Sequence, residues 1–462
     1  MCVRMKNTTY NGGDANMFNA KINFKKIEGK VKPMHAVNNG PAGSPERGTS
    51  NIKWFQYAGI PYARTHDSTF YSGYGGPYIV DVHQIFRNFD ADVNDPKSYD
   101  FVWTDKYIRH IQETGCETFY RLGASIEHYK KVGTYPPPDF HKWAQICEHI
   151  ILHYTQGWAD GFNYNIEYWE IWNEPECTSA DGSYSCWQGT LEHFMEFFVV
   201  AFKHLKETFP HLKIGGPALT WVGRGNNDKI VFDALKNAGI TLDFFSFHRY
   251  AKEPIRYYND ALKAYDLLKE YGCEDKTELN INEWNYVHGW SGDEFVYSIE
   301  SIKGLKGASF TAGAFCAGQR SPLAMMMYYD ARPCAFNGLF ETDTVKPLKP
   351  YYSFVAFNNL YKMGQSVESK SDNEKLYITA AKGEDKIGAM FTYFVDDDNA
   401  PNEKLCLELK DMPFEKATVS YYLLDKDHDL ELVRKETVSS KDVTLFVDID
   451  LFSSYYIEIE SI

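Results

Sequence analysis

The stretch Tyr168-Trp169-Glu170-Ile171-Trp172-Asn173-Glu174-Pro175 runs aromatic and β-branched residues straight into a carboxylate, Glu174. Such a run reads as a buried strand, and Asn-Glu-Pro as its carboxyl end. A second stretch repeats the arrangement: Leu279-Asn280-Ile281 leads into Asn282-Glu283-Trp284-Asn285, with Glu283 at the end of its own strand. Two carboxylates at two strand ends suit cleavage of a glycosidic bond. One carboxyl protonates the leaving oxygen, and the other meets the positive charge that develops at the anomeric carbon.

Outward from these strings, residues 30–360 alternate short apolar runs with longer amphipathic ones, the pattern of repeated β-then-α units and a parallel sheet. Eight strands are expected, at 31–37, 59–64, 116–122, 166–172, 212–216, 244–247, 278–281 and 323–329. Helical stretches between them include 140–154, 191–209, 253–271 and 295–316. Eight such units close into a (β/α)8 TIM barrel, whose active site lies at the carboxyl ends of the strands. Glu174 then follows strand four and Glu283 strand seven, so the two side chains meet across the barrel mouth. The competing architecture, an open doubly wound sheet, lacks a glycine-rich phosphate loop at the first βα turn.

Beyond Met363 the texture becomes short alternating strands, at 375–381, 387–395, 404–410, 417–424 and 455–459, separated by turn-rich acidic pieces such as Asp396-Asp397-Asp398-Asn399. This predicts a C-terminal antiparallel β-sandwich. The alternating Ala20-Lys21-Ile22-Asn23-Phe24 predicts that residues 1–30 add a strand to it, with the barrel over 31–362 and the sandwich over 363–462.

Composition narrows the function. The chain has 462 residues and a formal charge of −15, which opposes nucleic acid, anionic membrane surfaces and polyanionic substrates. Aromatic residues reach 16%, enough to line a pocket with rings that pack on the apolar face of a sugar. Nine cysteines are scattered, without a Cys-x-x-Cys pair, so they read as reduced thiols with neither a disulfide framework nor a zinc site. Cys177 and Cys186 flank one loop and could bridge in an oxidising setting. No apolar segment follows Met1 and no run reaches the roughly 18 apolar residues of a membrane span, so a cytoplasmic protein is expected. A homo-oligomer is compatible with the sequence but not required by it.

Further motifs fall at strand ends: Arg64-Thr65-His66 on strand two, Gly215-Gly216-Pro217 on strand five and Ser246-Phe247-His248-Arg249-Tyr250 on strand six. With Trp172-Asn173-Glu174-Pro175-Glu176 and Asn282-Glu283-Trp284-Asn285, and with Gly338-Leu339-Phe340 followed by Lys349-Pro350-Tyr351, the chain resembles glycoside hydrolase family 39. That family of barrel-plus-sandwich enzymes includes β-xylosidases and α-L-iduronidases, within a larger clan of retaining barrel glycosidases. The resemblance implies that Glu174 is the acid/base, Glu283 the nucleophile and Asn173 the partner of the sugar 2-hydroxyl.

Chemistry then assigns supporting roles. Glu174 must start neutral, and the nucleophile's charge with an aromatic wall around Trp172 would raise its pKa. Glu283 must stay charged, and His248, Tyr250 and Arg64 are placed in sequence to donate to it. His66 and His35 are candidates for sugar hydroxyls, against the alternative of satisfied core histidines. Trp284, Trp187 and Trp290 are candidates for stacking or for packing, and Asp330 for a sugar hydroxyl or a loop cap. Glu176 reads as a solvated loop charge. Where iduronidases carry a lysine two residues past the strand-six histidine, this chain has Tyr250, which favours a neutral pyranose such as xylose, with an exo-glycosidase for arabinose, galactose, glucose or iduronate as the alternative within the family. No cofactor is expected, because no His and Asp cluster shows metal-ligand spacing. A carbohydrate-binding protein on an inactive barrel is the alternative from another class. The 65–100 loop, rich in Tyr, Gly and Asp, matches nothing in the family and is a candidate for closing the pocket.

Overall fold

In the computed structural model, Phe18, Ala20, Ile22 and Phe24 alternate with exposed neighbours and form one buried face of strand β1 (Met17–Lys30). The structure describes residues 17–44, 49–68, 78–125, 133–178, 185–334, 336 and 338–462. After β1 the chain enters strand β2 (Ala36–Asn38) and a short hairpin, β3 (Gly43–Ser44) with β4 (Thr49–Ser50). Seven more strands follow: β5 (Tyr62–Arg64), β6 (Glu117–Leu122), β7 (Tyr168–Ile171), β8 (Lys213–Leu219), β9 (Phe244–Ala251), β10 (Glu278–Tyr286) and β11 (Met325–Tyr328). With β2 they close into an eight-stranded parallel barrel in sequence order. All eight strands fall where the sequence places them. The helix expected over 295–316 is two, Gly292–Lys303 and Leu305–Arg320, broken where Gly304 adopts an extended backbone.

Side chains alternate between the barrel interior and the helix layer. The amino end of the interior is apolar, filled by Ala36, Phe119, Tyr168, Phe244, Met325 and Met327. Nearer the carboxyl ends it turns polar, with Asn38, Arg64, Glu170, Ser246 and Asn282 in one hydrogen-bonded set. Burying these groups is tolerable only because they satisfy one another, and their layer is the floor on which the site stands.

The remaining strands are β12 (Gln365–Ser371), β13 (Leu376–Lys382), β14 (Lys386–Tyr393), β15 (Glu403–Lys410), β16 (Ala417–Leu424), β17 (Asp429–Val438), β18 (Val443–Ile449) and β19 (Ser454–Ser461). Together with β1 they form a nine-stranded sheet in the order β17-β16-β19-β14-β13-β12-β1-β15-β18. The pairing is antiparallel except that β1 runs parallel to β15. Strands β12, β17 and β18 were not anticipated. β17, at one edge, exposes most of its charged side chains and lacks an apolar alternation to read. Among the described residues no helix is long and apolar enough to cross a membrane.

Candidate active site

Backbone irregularities at three strand ends aim the functional side chains. After β7, Trp172 and Glu174 take left-handed φ of 74° and 46°, a conformation that costs a non-glycine residue about 1–3 kcal/mol. The loop is held there because the Glu174 N–H donates to the Ala218 carbonyl at 2.9 Å. Ala218 N–H in turn donates to Ser246 Oγ at 3.0 Å, and Ser246 donates to Glu170 at 2.6 Å. The Gly-Gly-Pro motif permits this approach, since a Cβ on Gly215 would lie 2.2 Å from the Phe244 carbonyl oxygen. On β10 the register slips between Ile281 and Glu283, and Glu283 pairs with His248. A bulge of this kind re-aims a side chain, and here it turns Glu283 toward Glu174.

One oxygen of Glu174, one of Glu283 and a ring nitrogen of His248 lie within 4.8 Å of one another. His248 Nδ1 stands 2.8 Å from Glu174 Oε1 and 3.6 Å from Glu283 Oε2. The histidine thus bridges the pair and sits nearer the acid than the expected nucleophile. Tyr250 donates its hydroxyl to Glu283 Oε1 at 2.5 Å, and Arg64 Nη1 lies 3.5 Å from Oε2. Arg64 is spent mainly elsewhere: Nε on Glu170 at 2.7 Å and Nη2 on Asn173 Oδ1 at 2.6 Å.

Burial pushes both carboxyls up to about 7. For Glu174 the Asp67 carboxylate adds to this and Arg64 opposes it. Glu283 is raised further by Glu174 and held back by His248, Arg64 and Tyr250. The pair therefore shares a proton near neutrality, and it settles on Glu174, because the Tyr250 hydroxyl stabilises charge on Glu283 alone whereas Arg64 favours charge on both. Burial lowers His248 to about 4 and holds His66 far below the usual range, so both rings are neutral.

Several buried polar atoms here have no hydrogen-bond partner among the described residues: both ring nitrogens of His66, His248 Nε2 and Asn173 Nδ2. Orphaned buried polar atoms are costly, and clustered around two carboxyls they fit the hydroxyls of a sugar.

Other expectations fail on strand geometry. His35 precedes β2 at the amino mouth of the barrel, packed on Phe357 and Tyr361, and is a core residue. Trp284 follows the inward Glu283, so it faces the helices, against Tyr257, Phe315 and Tyr328. Trp187 is buried on Trp172 and Phe197, and Trp172 joins that outer cluster instead of walling the acid. Asp330 caps its own loop, accepting from the Arg332 N–H at 2.6 Å and from Nη2 at 2.7 Å. Glu176 is no solvated charge: Thr220 N–H and Oγ1 both donate to it, at 2.6 and 2.7 Å. Trp290 alone of the three tryptophans is exposed, 5.1 Å from the Tyr250 ring and nearly parallel to Phe336. Part of the 65–100 loop, residues 69–77, lies outside the described residues.

Sequence reasoning missed Glu170 and the group Asp67, Tyr329 and Arg332. The alternation of β7 would have found Glu170, which shares the inward face with Tyr168. Tyr329 donates to Asp67 at 2.9 Å, and Arg332 reaches both Tyr329 and the Asp67 carbonyl. Nothing local in the sequence marks that contact.

The barrel thus carries two facing carboxylates, just past strand four and at strand seven. The model of Glycosyl hydrolases family 39 matches residues 54–270, a little under half of the chain. A β-xylosidase of Geobacillus stearothermophilus is 24% identical over 213 residues, 40% of this chain and 39% of that protein. The chain thus matches about two-fifths of the length of this curated relative. Solved structures share the fold across nearly the whole chain. A glucosidase from Croceicoccus marinus superposes with a TM-score of 0.76 at 20% identity, covering 96% of this chain and 99% of its own. A monomeric β-xylosidase from Caulobacter crescentus gives 0.69 at 13% identity, with the same coverage.

Proposed function

We propose that the protein is a retaining glycoside hydrolase that removes a neutral sugar from the non-reducing end of a glycoside or oligosaccharide, most simply a β-xylosidase-like exo-enzyme. The observation that carries this reading is the Glu174, His248 and Glu283 cluster, closed to within 4.8 Å and ringed by partnerless polar atoms. A retaining pair needs carboxyls about 5–5.5 Å apart, whereas an inverting pair leaves room for a water.

In the first step Glu283 attacks the anomeric carbon while Glu174 gives its proton to the leaving oxygen. In the tautomer this role requires, His248 carries its proton on Nδ1, 2.8 Å from Glu174 Oε1, which leaves the acid's proton on the other oxygen. Once Glu283 is esterified its charge is gone, and Glu174 no longer has an anion opposing its ionisation. It then acts as base on the water that releases the sugar. Asn173, fixed by Arg64, offers Nδ2 to the 2-hydroxyl, and His66 faces further hydroxyls. Each arginine near the site is already paired, Arg64 with Glu170, Arg121 with Asp81 and Arg332 with Asp330. These arginines are thus each matched by a carboxylate, which supports a neutral substrate over a uronate. Residues 31–362 act as the catalytic barrel in this reading, and the sheet of β1 with 363–462 as its support.

The test is hydrolysis of a panel of aryl glycosides (xyloside, glucoside, galactoside, arabinosides, iduronide) by wild type, Glu283→Ala and Glu174→Ala. One glycoside turned over by wild type, with both variants crippled, is the expected result. Full activity in Glu283→Ala would sink the nucleophile assignment.

A further inference from the structure

The acid/base is followed at once by two cysteines that face each other. Thr178 and Ser185 form an antiparallel bridge, and the Cys186 N–H donates to the Cys177 carbonyl at 3.0 Å. That places Cys177 directly opposite Cys186 across the two strands, and opposed residues of an antiparallel pair have Cα atoms about 4.5–5.5 Å apart. A disulfide spans Cα separations of about 4.4–6.8 Å. Neither thiol is bridged in this structure. The two sulfurs and a Glu174 oxygen lie within 4.8 Å of one another. Cys177 is partly exposed and Cys186 buried. Cys116, Cys147 and Cys316 lie deep in the barrel core, where burial pushes their thiols up and leaves them inert.

We propose that Cys177 and Cys186 form a reversible disulfide that controls the acid/base, an inference that rests on Glu174 having that role. The oxidant is a low-molecular-weight disulfide. The accessible Cys177 thiolate attacks one of its sulfurs and expels the first thiolate, giving a mixed disulfide. Cys186 then loses its proton, attacks the Cys177 sulfur and expels the second. Two protein thiols become one disulfide, the reagent is reduced to two thiols, and the released protons go to them.

The consequence falls on Glu174. In the reduced protein the Cys177 sulfur lies within 4.8 Å of its carboxylate, and the thiol is the weakest of the influences on it, favouring the charged form. The other groups facing Glu174 are His248 on β9, Glu283 on β10, Arg64 and Asp67 at the end of β5, and Glu176 on its own loop. None of them is altered by oxidation, so the bridge removes one donor to the carboxylate. The acid then stays protonated to higher pH.

The experiment equilibrates the full chain with oxidised glutathione or with dithiothreitol, maps the peptides by mass, and records kcat/KM against pH on the aryl glycoside that wild type hydrolyses. Expected are a Cys177–Cys186 peptide lacking two hydrogens, and an alkaline limb moved up by about 0.5 pH unit, as loss of one weak donor implies. Dithiothreitol should reverse both, and Cys186→Ser should show neither. Absence of the bridged peptide overturns the proposal, as does a bridge that leaves the limb unmoved or a shift that persists in Cys186→Ser. Reversal by a chelator but not by dithiothreitol also overturns it, in favour of bound metal. Bridging is read by mass without any turnover. A protein that bridges but hydrolyses nothing in either state therefore sinks the hydrolase reading, and the control of Glu174 with it, while the disulfide stands.

Discussion

Tyr250 shows how one side chain divides a shared proton between two carboxyls. Its hydroxyl reaches Glu283 at 2.5 Å and stabilises the charged form, while Glu174 has no such phenol. A hydrogen bond to a charged group contributes about 1.5–3 kcal/mol. In Tyr250→Phe we expect kcat/KM to fall roughly 10- to 150-fold by the same range. Without its donor Glu283 titrates higher, so the acidic limb of the pH profile should move to higher pH. A limb that stays in place would show that Tyr250 is not what holds the nucleophile charged. The residues of this site were largely legible in the sequence, because chemistry selects carboxylate, histidine and tyrosine at strand ends. The direction of each side chain was less so. Trp284 and Trp187 read as stacking candidates by residue type, yet the alternation that turns Glu283 inward forces Trp284 outward.

Between strands and helices, the loop from β10 to the helix Gly292–Lys303 carries Trp290, whose ring is nearly parallel to those of Phe295 and Phe336. Tyr250 joins this set to Glu283. Such a surface suits the leaving part of a substrate. Trp290→Ala is expected to lower kcat/KM for a disaccharide by roughly 2- to 13-fold, since aromatic packing contributes about 0.5–1.5 kcal/mol beyond simple burial. A substrate with a methyl leaving group should be unaffected, and equal losses on both would place Trp290 in general packing. All eight barrel strands were readable from apolar runs because a parallel strand is buried on both faces. The bulge on β10 and the left-handed residues flanking Asn173 were not, since they arise from contacts between strands distant in sequence.

Across the molecule, barrel and sheet are joined by a buried polar cluster. Asp396 accepts from Tyr286 at 2.7 Å, from His288 at 2.6 Å and from Lys306 at 2.7 Å. Asp396→Asn removes one of the two carboxylates on the buried Lys306 ammonium, the other being Asp398 at 2.9 Å, so the loss should fall below the roughly 3 kcal/mol of a fully broken buried pair. We expect a lower Tm with both parts melting together, checked by calorimetry; two separated transitions would show that the parts are stable alone. These partners hold the Asp396 carboxyl below its usual range. Its contribution is therefore complete above the ordinary aspartate range and is lost as pH falls through its lowered value. Wild type should lose this stability on acidification, and the variant should not. The acidic run at 396–399 was visible in the sequence only as a turn. Its partners lie about a hundred residues upstream, on the far side of the barrel's last two units.

The position of β1 in the nine-stranded sheet also bears on how the protein is made. β1 leaves the ribosome before the barrel, but its neighbours β12 and β15 are synthesised only after all eight barrel strands. Until then its Phe18, Ile22 and Phe24 have no apolar surface to cover them, and its backbone presents open edges to any passing strand. Completion of the sheet is a late, long-range event of the kind that folds slowly. During translation, therefore, the segment most exposed to mispairing between nascent chains is β1 and not the catalytic barrel.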